Sequence, residues 1–449
     1  MKPSSPAAFQ LLMEGAAAFA DIEENGLKVD VPYLDRVIKE TETEITQIED
    51  SLRRDEVFKV WEKKFGSEAN LGSKTQLGTV IFDIMGVPCK HRTKTGRPKT
   101  DIEALETVDF PFIVEYLACE KLKKARSTYL VGLRHCVEAD GYVHPSMNLH
   151  FARTYRSSID DPNLQNQPVR NPKQAKLIRT AFIPSGPDYC LVERDYSALE
   201  FRGAANFWVD RSMITYASDN TLDIHRDIAA ELFACTIKEV SKPARSTAKN
   251  AFVFPVLYGS THRRCHDNIW NQISRTKITT QAGVDMFEHL ASKGIKTKDD
   301  FKMHVKKVED RFGERFPTWN TERVKWWELY ESRGWFPLST GFIQQGVFSY
   351  NDLMNYPIQG PSFHIMLWSI IQINKWLKKN KMKSKIATQV HDSILLDVYK
   401  SELDDVLSYS EYVMTIAVRK HWPWIVTPLE IETEISYTNW FEKQKYTAI

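Results

Sequence analysis

The sequence has no paired C-x-x-C, no long apolar run and almost no net charge. Its six cysteines (Cys89, Cys119, Cys136, Cys190, Cys235, Cys265) are scattered over 449 residues. That spacing excludes a disulfide framework and a cysteine zinc site, and points to reduced thiols. His262, Cys265 and His266 form the one tempting cluster, but a second pair of ligands is missing. No apolar stretch approaches bilayer-spanning length, and Met1 to Ala8 lacks the basic and apolar regions of a secretory leader, so a cytoplasmic protein without membrane contact is expected. A net charge of +2 does not announce a polyanionic partner. Internal repeats and low-complexity tracts are absent.

What is present is ordinary globular chemistry at multi-domain length. Hydrophobic residues make up 42% and charged residues 26%, and 449 residues exceed what one core accommodates. Basic residues are concentrated locally, in residues 90–99 (KHRTKTGRPK), 121–126 and 375–385. Residues 31–64 carry apolar side chains at helical spacing (Leu34, Val37, Ile38, Ile45, Ile48, Leu52), which predicts one long amphipathic helix. A second helix is expected over 111–137, packed antiparallel to the first, with the Gly-, Thr- and Lys-rich segment 70–100 at the far end as a basic tip. Residues 141–207 read as strands and turns, 222–334 as largely helical, and the last hundred residues as strands again. There, 386–392 and 394–399 flank His391-Asp392-Ser393, and Leu429, Ile431, Thr433 and Ile435 alternate onto one face.

Two aspartates stand where chemistry is often placed. Asp195 ends the β-rich run Tyr189-Cys190-Leu191-Val192-Glu193-Arg194-Asp195, where the chain turns into a helix at Ser197. Asp392 occupies the tip of the expected hairpin. In neighbouring strands the two carboxylates would converge, and a pair of acidic oxygen ligands on Mg²⁺ is what an in-line phosphoryl displacement requires. Singly, each is equally readable as a turn or cap residue.

The surroundings of both resemble the DNA polymerase I family, also called family A, over most of the chain. Asp195-Tyr196-Ser197-Ala198-Leu199-Glu200-Phe201-Arg202 resembles motif A, D-Y-S-x-[IL]-E-x-R. The resemblance makes Asp195 and the Tyr196 backbone metal ligands, and Glu200 the gate against a ribose 2′-hydroxyl. Motif B is identified in Arg245, Lys249, Phe254, Tyr258 and Gly259. A helix with Arg and Lys one turn apart can grip a triphosphate, and aromatic rings beyond them can lie against base and sugar. The family's common Lys-to-Phe spacing is four, whereas Lys249 to Phe254 is five. On an ideal helix that rotates Phe254 off the gripping face. A π-bulge would restore it, and Pro255, which cannot donate to the Ala251 carbonyl, supports such an irregularity; the alternative register places Val253 there. Motif C is identified in Gln389-Val390-His391-Asp392, with Asp392 the second metal ligand and His391 near the primer 3′ end. Ser393 follows, where many relatives have Glu.

Thr154-Tyr155-Arg156 and Asp161-Pro162-Asn163-Leu164-Gln165-Asn166 resemble the family's T-G-R-x-S-S-x-x-P-N-L-Q-N. By that resemblance Arg156, Asn163, Gln165 and Asn166 face the duplex minor groove, where paired bases of either order present similar acceptors. Asn355-Tyr356-Pro357-Ile358-Gln359-Gly360 resembles N-x-P-x-Q-G and assigns Asn355 and Gln359 to primer and template; Asn351 stands where relatives often have Arg. Asp223-Ile224-His225 matches the D-x-H segment, with His225 on the triphosphate. Asn70 to Leu77 and Lys121 to Lys124 resemble thumb segments, which gives the basic runs duplex phosphates as a partner. Asp21-Ile22-Glu23 mimics the start of a proofreading nuclease but leads straight into the thumb, so the expectation is a polymerase region of phage-like type without a 3′–5′ exonuclease domain.

The implied fold is α+β, a right hand with an antiparallel-sheet palm and helical thumb and fingers. Its parts would be an N-terminal palm-associated segment (1–30), thumb (31–138), first palm part (139–206), fingers (207–349) and second palm part (350–449). The implied activity is DNA-directed DNA synthesis with two Mg²⁺ ions, Mn²⁺ substituting. The implied partners are primer–template duplex and dNTPs, with a processivity factor or separate exonuclease as further candidates, in a bacterial or phage-infected cytosol. Two other readings use the same residues: an RNA-templated or ribonucleotide-using polymerase of related fold, and a catalytically silent duplex-binding subunit.

Overall fold

In residues 189–196 every second side chain (Cys190, Val192, Arg194, Tyr196) is buried, and Leu191 with them, and such a run belongs at the centre of a sheet. In the computed structural model, which describes all residues except 90, 94, 169, 170 and 447–449 and the side chain of residue 103, this run is the middle strand of five. The strands are β1 (Tyr189–Tyr196), β2 (Lys385–Val390), β3 (Ser393–Tyr399), β4 (Ile431–Ser436) and β5 (Gln444–Lys445). They lie in the order β5-β4-β1-β3-β2, antiparallel throughout. Because β2 and β3 are a hairpin and β1 pairs with β3, Asp195 lies opposite Ser393.

The chain divides into two compact units. The first, Met1–Lys28, Tyr142–Asn166 and Phe182–Ile449, holds the sheet and most of the helices. Its helices include α1 (Pro6–Asn25), α2 (Leu199–Trp208), α3 (Ile224–Leu232), α4 (Lys242–Ala248), α5 (Phe254–Leu257) and α6 (Tyr350–Lys379). One continuous hydrophobic core joins β1 side chains Cys190, Val192 and Tyr196 to the apolar residues of α2, α3 and α6.

The last hundred residues were expected as strands, yet α6 is a 30-residue helix containing Pro357 and Pro361. Its start is a capping box, in which Ser349 and Asp352 satisfy each other's backbone N–H groups. Pro357 has no N–H for the Leu353 carbonyl four residues back. The Trp326 indole N–H takes that carbonyl instead, at 3.1 Å. Gly360 lets the chain at Thr154 approach closely, since a Cβ there would meet the Thr154 carbonyl oxygen at 3.0 Å.

The second unit, Val29–Gly141 and Gln167–Ala181, is helical around its own core of Trp61, Leu77, Phe112, Ile113 and Tyr116. The single helix expected over 31–64 is two, Val31–Arg54 and Glu56–Phe65, because Asp55 leaves the helical conformation and caps the second through Val57 N–H at 2.8 Å. The second helical stretch runs as Pro111–Lys124, a π-helical segment Ala125–Val131, and Gly132–Cys136. Ion pairs Lys123–Glu49 (2.7 Å), Arg126–Glu42 (3.0 Å) and Arg134–Asp35 (2.8 Å) ascend one helix while descending the other, so the pair is antiparallel, as expected. Residues 172–179, expected among strands and turns, form a helix (Pro172–Arg179) that Asn171 caps. Asn followed by Pro at the first helical position is the start signal that the sequence reading passed over.

Ion pairs also run through the basic stretches. Lys121 and Lys123 pair with Glu106 and Glu49, and Arg126 with Glu42; Lys375 and Lys378 pair with Glu14 and Asp21. Asp21 anchors α1 to α6 through Lys378 and Asn374. In the run 90–99, Arg92, Arg97 and Lys99 are exposed, while Lys90 and Lys94 lie outside the described residues. No helix among the described residues is long and apolar enough to cross a membrane.

Candidate active site

Asp195 and Asp392 meet at one end of the sheet. Tyr196 N–H donates to the Asp392 carbonyl at 3.0 Å, which fixes the end of β1 to the hairpin turn. His391 holds that turn at φ +53°, a conformation that a β-carbon disfavours. Gln389 secures it: its amide donates to the His391 carbonyl, and its oxygen accepts from Ser157 Oγ at 2.8 Å and Gln165 Nε2 at 3.1 Å. Gln165 is therefore brought directly beneath the Asp392 turn.

Neither carboxylate has an ion-pair partner among the described residues, and both are harder to ionise than a free aspartate. Desolvation by the surrounding protein, then the charges of Asp392, Glu193 and Glu432, push Asp195 up to about 7. Solvent still reaches the Asp195 side chain at the end of the sheet. Burial pushes Asp392 up to about 6, Glu200 adding to the shift while Arg156 and Lys249 oppose it. Two crowded carboxylates without an ion-pair partner among the described residues are a donor set suited to a hard divalent cation with oxygen ligands. Among the described residues no group of three or more His, Cys, Asp and Glu side chains is placed to hold a metal. His262 instead contacts Glu309 at 2.6 Å, and Cys265 is buried in the core.

Across from the carboxylates is a cationic and aromatic helix face. α4 ends at Ala248, Lys249–Val253 is π-helical, and α5 begins at Phe254, so the widened turn lies where the five-residue spacing and Pro255 called for it. Lys249 Nζ consequently sits 5.7 Å from the centre of the Phe254 ring, and Phe254 stacks on Tyr258 with centroids 5.9 Å apart. Val253 is fully buried in the core, which rules out the alternative register. Arg245 is oriented by Asp223, the N-cap of α3, through a 2.6 Å contact.

His225, on α3, lies 5.6 Å from Phe254, ring to ring. Burial, then the charges of Lys249 and Arg245, lower its pKa to about 3, so the ring is neutral. Its Nδ1 is buried without a hydrogen-bond partner, and so is Asn355 Oδ1 on α6. An unsatisfied buried polar atom costs stability unless something else meets it. Both atoms belong to side chains that the sequence assigned to ligands.

Glu200, in the first turn of α2, accepts from Arg156 and from the Tyr258 hydroxyl, the latter at 3.0 Å. Arg156 was expected among the minor-groove contacts and is held here by Glu200. Asn163 accepts from the Asn166 N–H at 3.0 Å in a local turn; Gln359 is half-buried on α6, and His391 and Asn166 are exposed.

Three structural residues were missed. Arg202 is buried and clamps α2 to the chain before β4, pairing with Glu430 at 2.9 Å and donating to the Ser197 carbonyl at 3.0 Å. Gln389, quoted in the motif but given no task, supports the Asp392 turn. Glu193, beside Asp195, accepts from Ser393. Arg202 and Gln389 had a sequence signal, as the last residue of motif A and the first of motif C.

The model of the family described as DNA polymerase family A matches residues 32–442. DNA polymerase I of Bacillus subtilis (strain 168) is 30% identical over 400 residues, covering 88% of this chain and 42% of that protein. DNA polymerase I of Streptococcus pneumoniae (strain ATCC BAA-255 / R6) is 32% identical over 390 residues, 84% of this chain and 40% of that protein. The chain thus spans less than half the length of these relatives. Among solved structures, the POL domain of Pol1 from M. smegmatis, in complex with DNA primer-template and dNTP, superposes with a TM-score of 0.75 at 25% identity, over 96% of this chain and 70% of that one. The α+β right-hand fold expected from the sequence is the fold found.

Proposed function

Because the chain belongs to DNA polymerase family A, we propose that it is a DNA-directed DNA polymerase, adding dNTPs to a primer 3′ end by nucleotidyl transfer. The observation that carries this reading is the pairing of two ion-pair-free carboxylates at the ends of adjacent strands with a cationic helix face inside the same unit. A metal-bound triphosphate complements both. Two Mg²⁺ ions, or Mn²⁺ in their place, would be held by Asp195, Asp392 and the Tyr196 carbonyl, and when bound they supply activation of the 3′-hydroxyl and neutralisation of the leaving pyrophosphate.

The protein's own residues do the positioning. Arg245 and Lys249 bind phosphate oxygens as fork and point charge, and neutral His225 adds a directional hydrogen bond from its unsatisfied Nδ1. Phe254 and Tyr258 present ring faces to base and sugar. Glu200, immobilised by Arg156 and Tyr258, occupies the space that a 2′-hydroxyl needs. Asn163, Gln165, Asn166, Asn355, Gln359 and His391 line the primer–template side, and the Asn355 carbonyl oxygen is available to a donor there. Residues 31–138 act as thumb, 207–349 as fingers, and 1–30, 139–206 and 350–449 as palm, with closure of the fingers over a matched nucleotide ordering the site before chemistry. The working location is the cytoplasm, with a processivity factor or separate exonuclease as accessory partner.

Extension of a labelled primer on DNA with Mg²⁺, comparing dNTPs with rNTPs and wild type with Asp392→Ala, tests the reading. Extension with dNTPs, reduced roughly 10³-fold or more in the variant while duplex affinity is kept, is expected. Duplex binding without extension by wild type would favour a silent subunit, and preferential use of rNTPs would overturn the role of Glu200.

A further inference from the structure

The hairpin turn that carries Asp392 is held on two sides, and only one of them is accounted for by Gln389. On the other, Ser393 Oγ lies 2.9 Å from the Val390 carbonyl, across the turn, and 3.2 Å from Glu193 Oε1 on β1. A hydroxyl has one proton, so Ser393 shares it between the carbonyl that opens the turn and the carboxylate of the next strand. Glu193 is itself fixed. Its other oxygen accepts from the indole N–H of fully buried Trp440 at 2.8 Å and from Lys443 Nζ at 2.5 Å, and Lys443 is shared with Glu434 at 2.6 Å. Side chains of Glu193 and Lys443 are 12% and 15% exposed, so this carboxylate has no freedom to swing away.

Strand alternation puts Glu193 on the same face of β1 as Asp195. Ser393 stands where the family that the sequence resembles often carries Glu, and the space beside it holds a carboxylate all the same, delivered from the neighbouring strand. We infer that Glu193 is a positioning residue for the Asp392 turn, acting through the Ser393 hydroxyl and standing in for the carboxylate that position 393 lacks. The inference rests on the polymerase reading of the site.

The alternative task for Glu193 is a plain staple, tying the segment of Trp440 and Lys443 to the sheet. Those two tasks separate in metal dependence. Glu193→Gln keeps the shape and the Trp440 contact but weakens the hold on Ser393. The expected result is an increase of about 10-fold in the Mg²⁺ concentration for half-maximal primer extension, with a matching loss in Mn²⁺ affinity of the free enzyme measured by electron paramagnetic resonance. Ser393→Glu alone sets two carboxylates side by side and should impair metal binding as much, whereas the exchange Glu193→Ser with Ser393→Glu should recover it to within about threefold of wild type.

A lowered melting temperature in Glu193→Gln with unchanged Mn²⁺ affinity and Mg²⁺ dependence would reduce Glu193 to a staple and overturn the inference. So would an exchange variant no better than the worse single one. If Glu193→Gln does not fold, the exchange variant and Ser393→Glu still decide the matter by the same two measurements. Failure of the wild type to extend a primer at any Mg²⁺ concentration would instead remove the polymerase reading, leaving Mn²⁺ affinity to report on Glu193 by itself.

Discussion

The end of the sheet and the α4–α5 helix face concentrate charge of opposite sign in one unit of the molecule. At the sheet, burial and then neighbouring carboxylates, Asp392 and Glu193 for Asp195 and Glu200 for Asp392, raise the cost of ionisation, and protons are retained up to about 7 and about 6. At the helix, Arg245 and Lys249 add to burial in keeping His225 neutral down to about 3. Each region is strained by its own like charges, and each would be relieved by a ligand carrying the other's sign. The two poles form an electrostatic compromise, mounted on the continuous hydrophobic core that β1 and the helices share.

Removing one pole's charge should have the largest effect. Lys249→Ala is expected to lower kcat/KM for dNTPs by about 100-fold, mainly through KM, with duplex affinity little changed. Steady-state kinetics measure it, and an unchanged KM would break the comparison by showing that the helix face does not meet the triphosphate.

A smaller effect concerns stability. The folded state raises the Asp195 pKa above that of an unfolded aspartate, so its contribution is complete below about 3.8 and is lost as pH rises through about 7. Asp195→Asn cannot ionise, and its melting temperature without metal should exceed that of wild type by a few degrees at pH 8 and by nothing at pH 4. Added Mg²⁺ should close the gap by stabilising the wild type alone. Thermal melts at the two pH values sharpen the claim that the carboxylates are crowded.

The smallest effect lies at the opposite pole. His225 has a depressed pKa in the folded state, so its contribution is present above about 6.5 and is lost as pH falls toward about 3. His225→Gln should flatten the fall in stability over that window, as measured by denaturant titrations at pH 7, 5 and 4. Identical slopes would mean that the ring is not held neutral by its cationic neighbours.

Much of this site was legible before any coordinates. The strand ending at Asp195 and the hairpin tip at Asp392 follow from short-range rules, apolar runs and turn residues, and the widened turn after Lys249 from the resembled family's spacing together with a proline that cannot donate. Such rules failed where a distant group changes the local outcome. α6 continues past Pro357 because the Trp326 indole takes the carbonyl that this proline leaves free. The acids that pair with Lys121, Lys123, Arg126, Lys375 and Lys378 lie outside the basic runs, and only folding shows that Glu106, Glu49, Glu42, Glu14 and Asp21 are the partners.

The sequence by itself determined the local backbone on which each candidate residue is mounted, since capping, strand alternation and helix periodicity act within a few residues, while the roles proposed for those residues came from the family resemblance. Tertiary structure alone decided which carboxylates meet, which cations are left unpaired and that Glu193 supports Ser393, because desolvation and charge depend on neighbours that are near in space and distant along the chain.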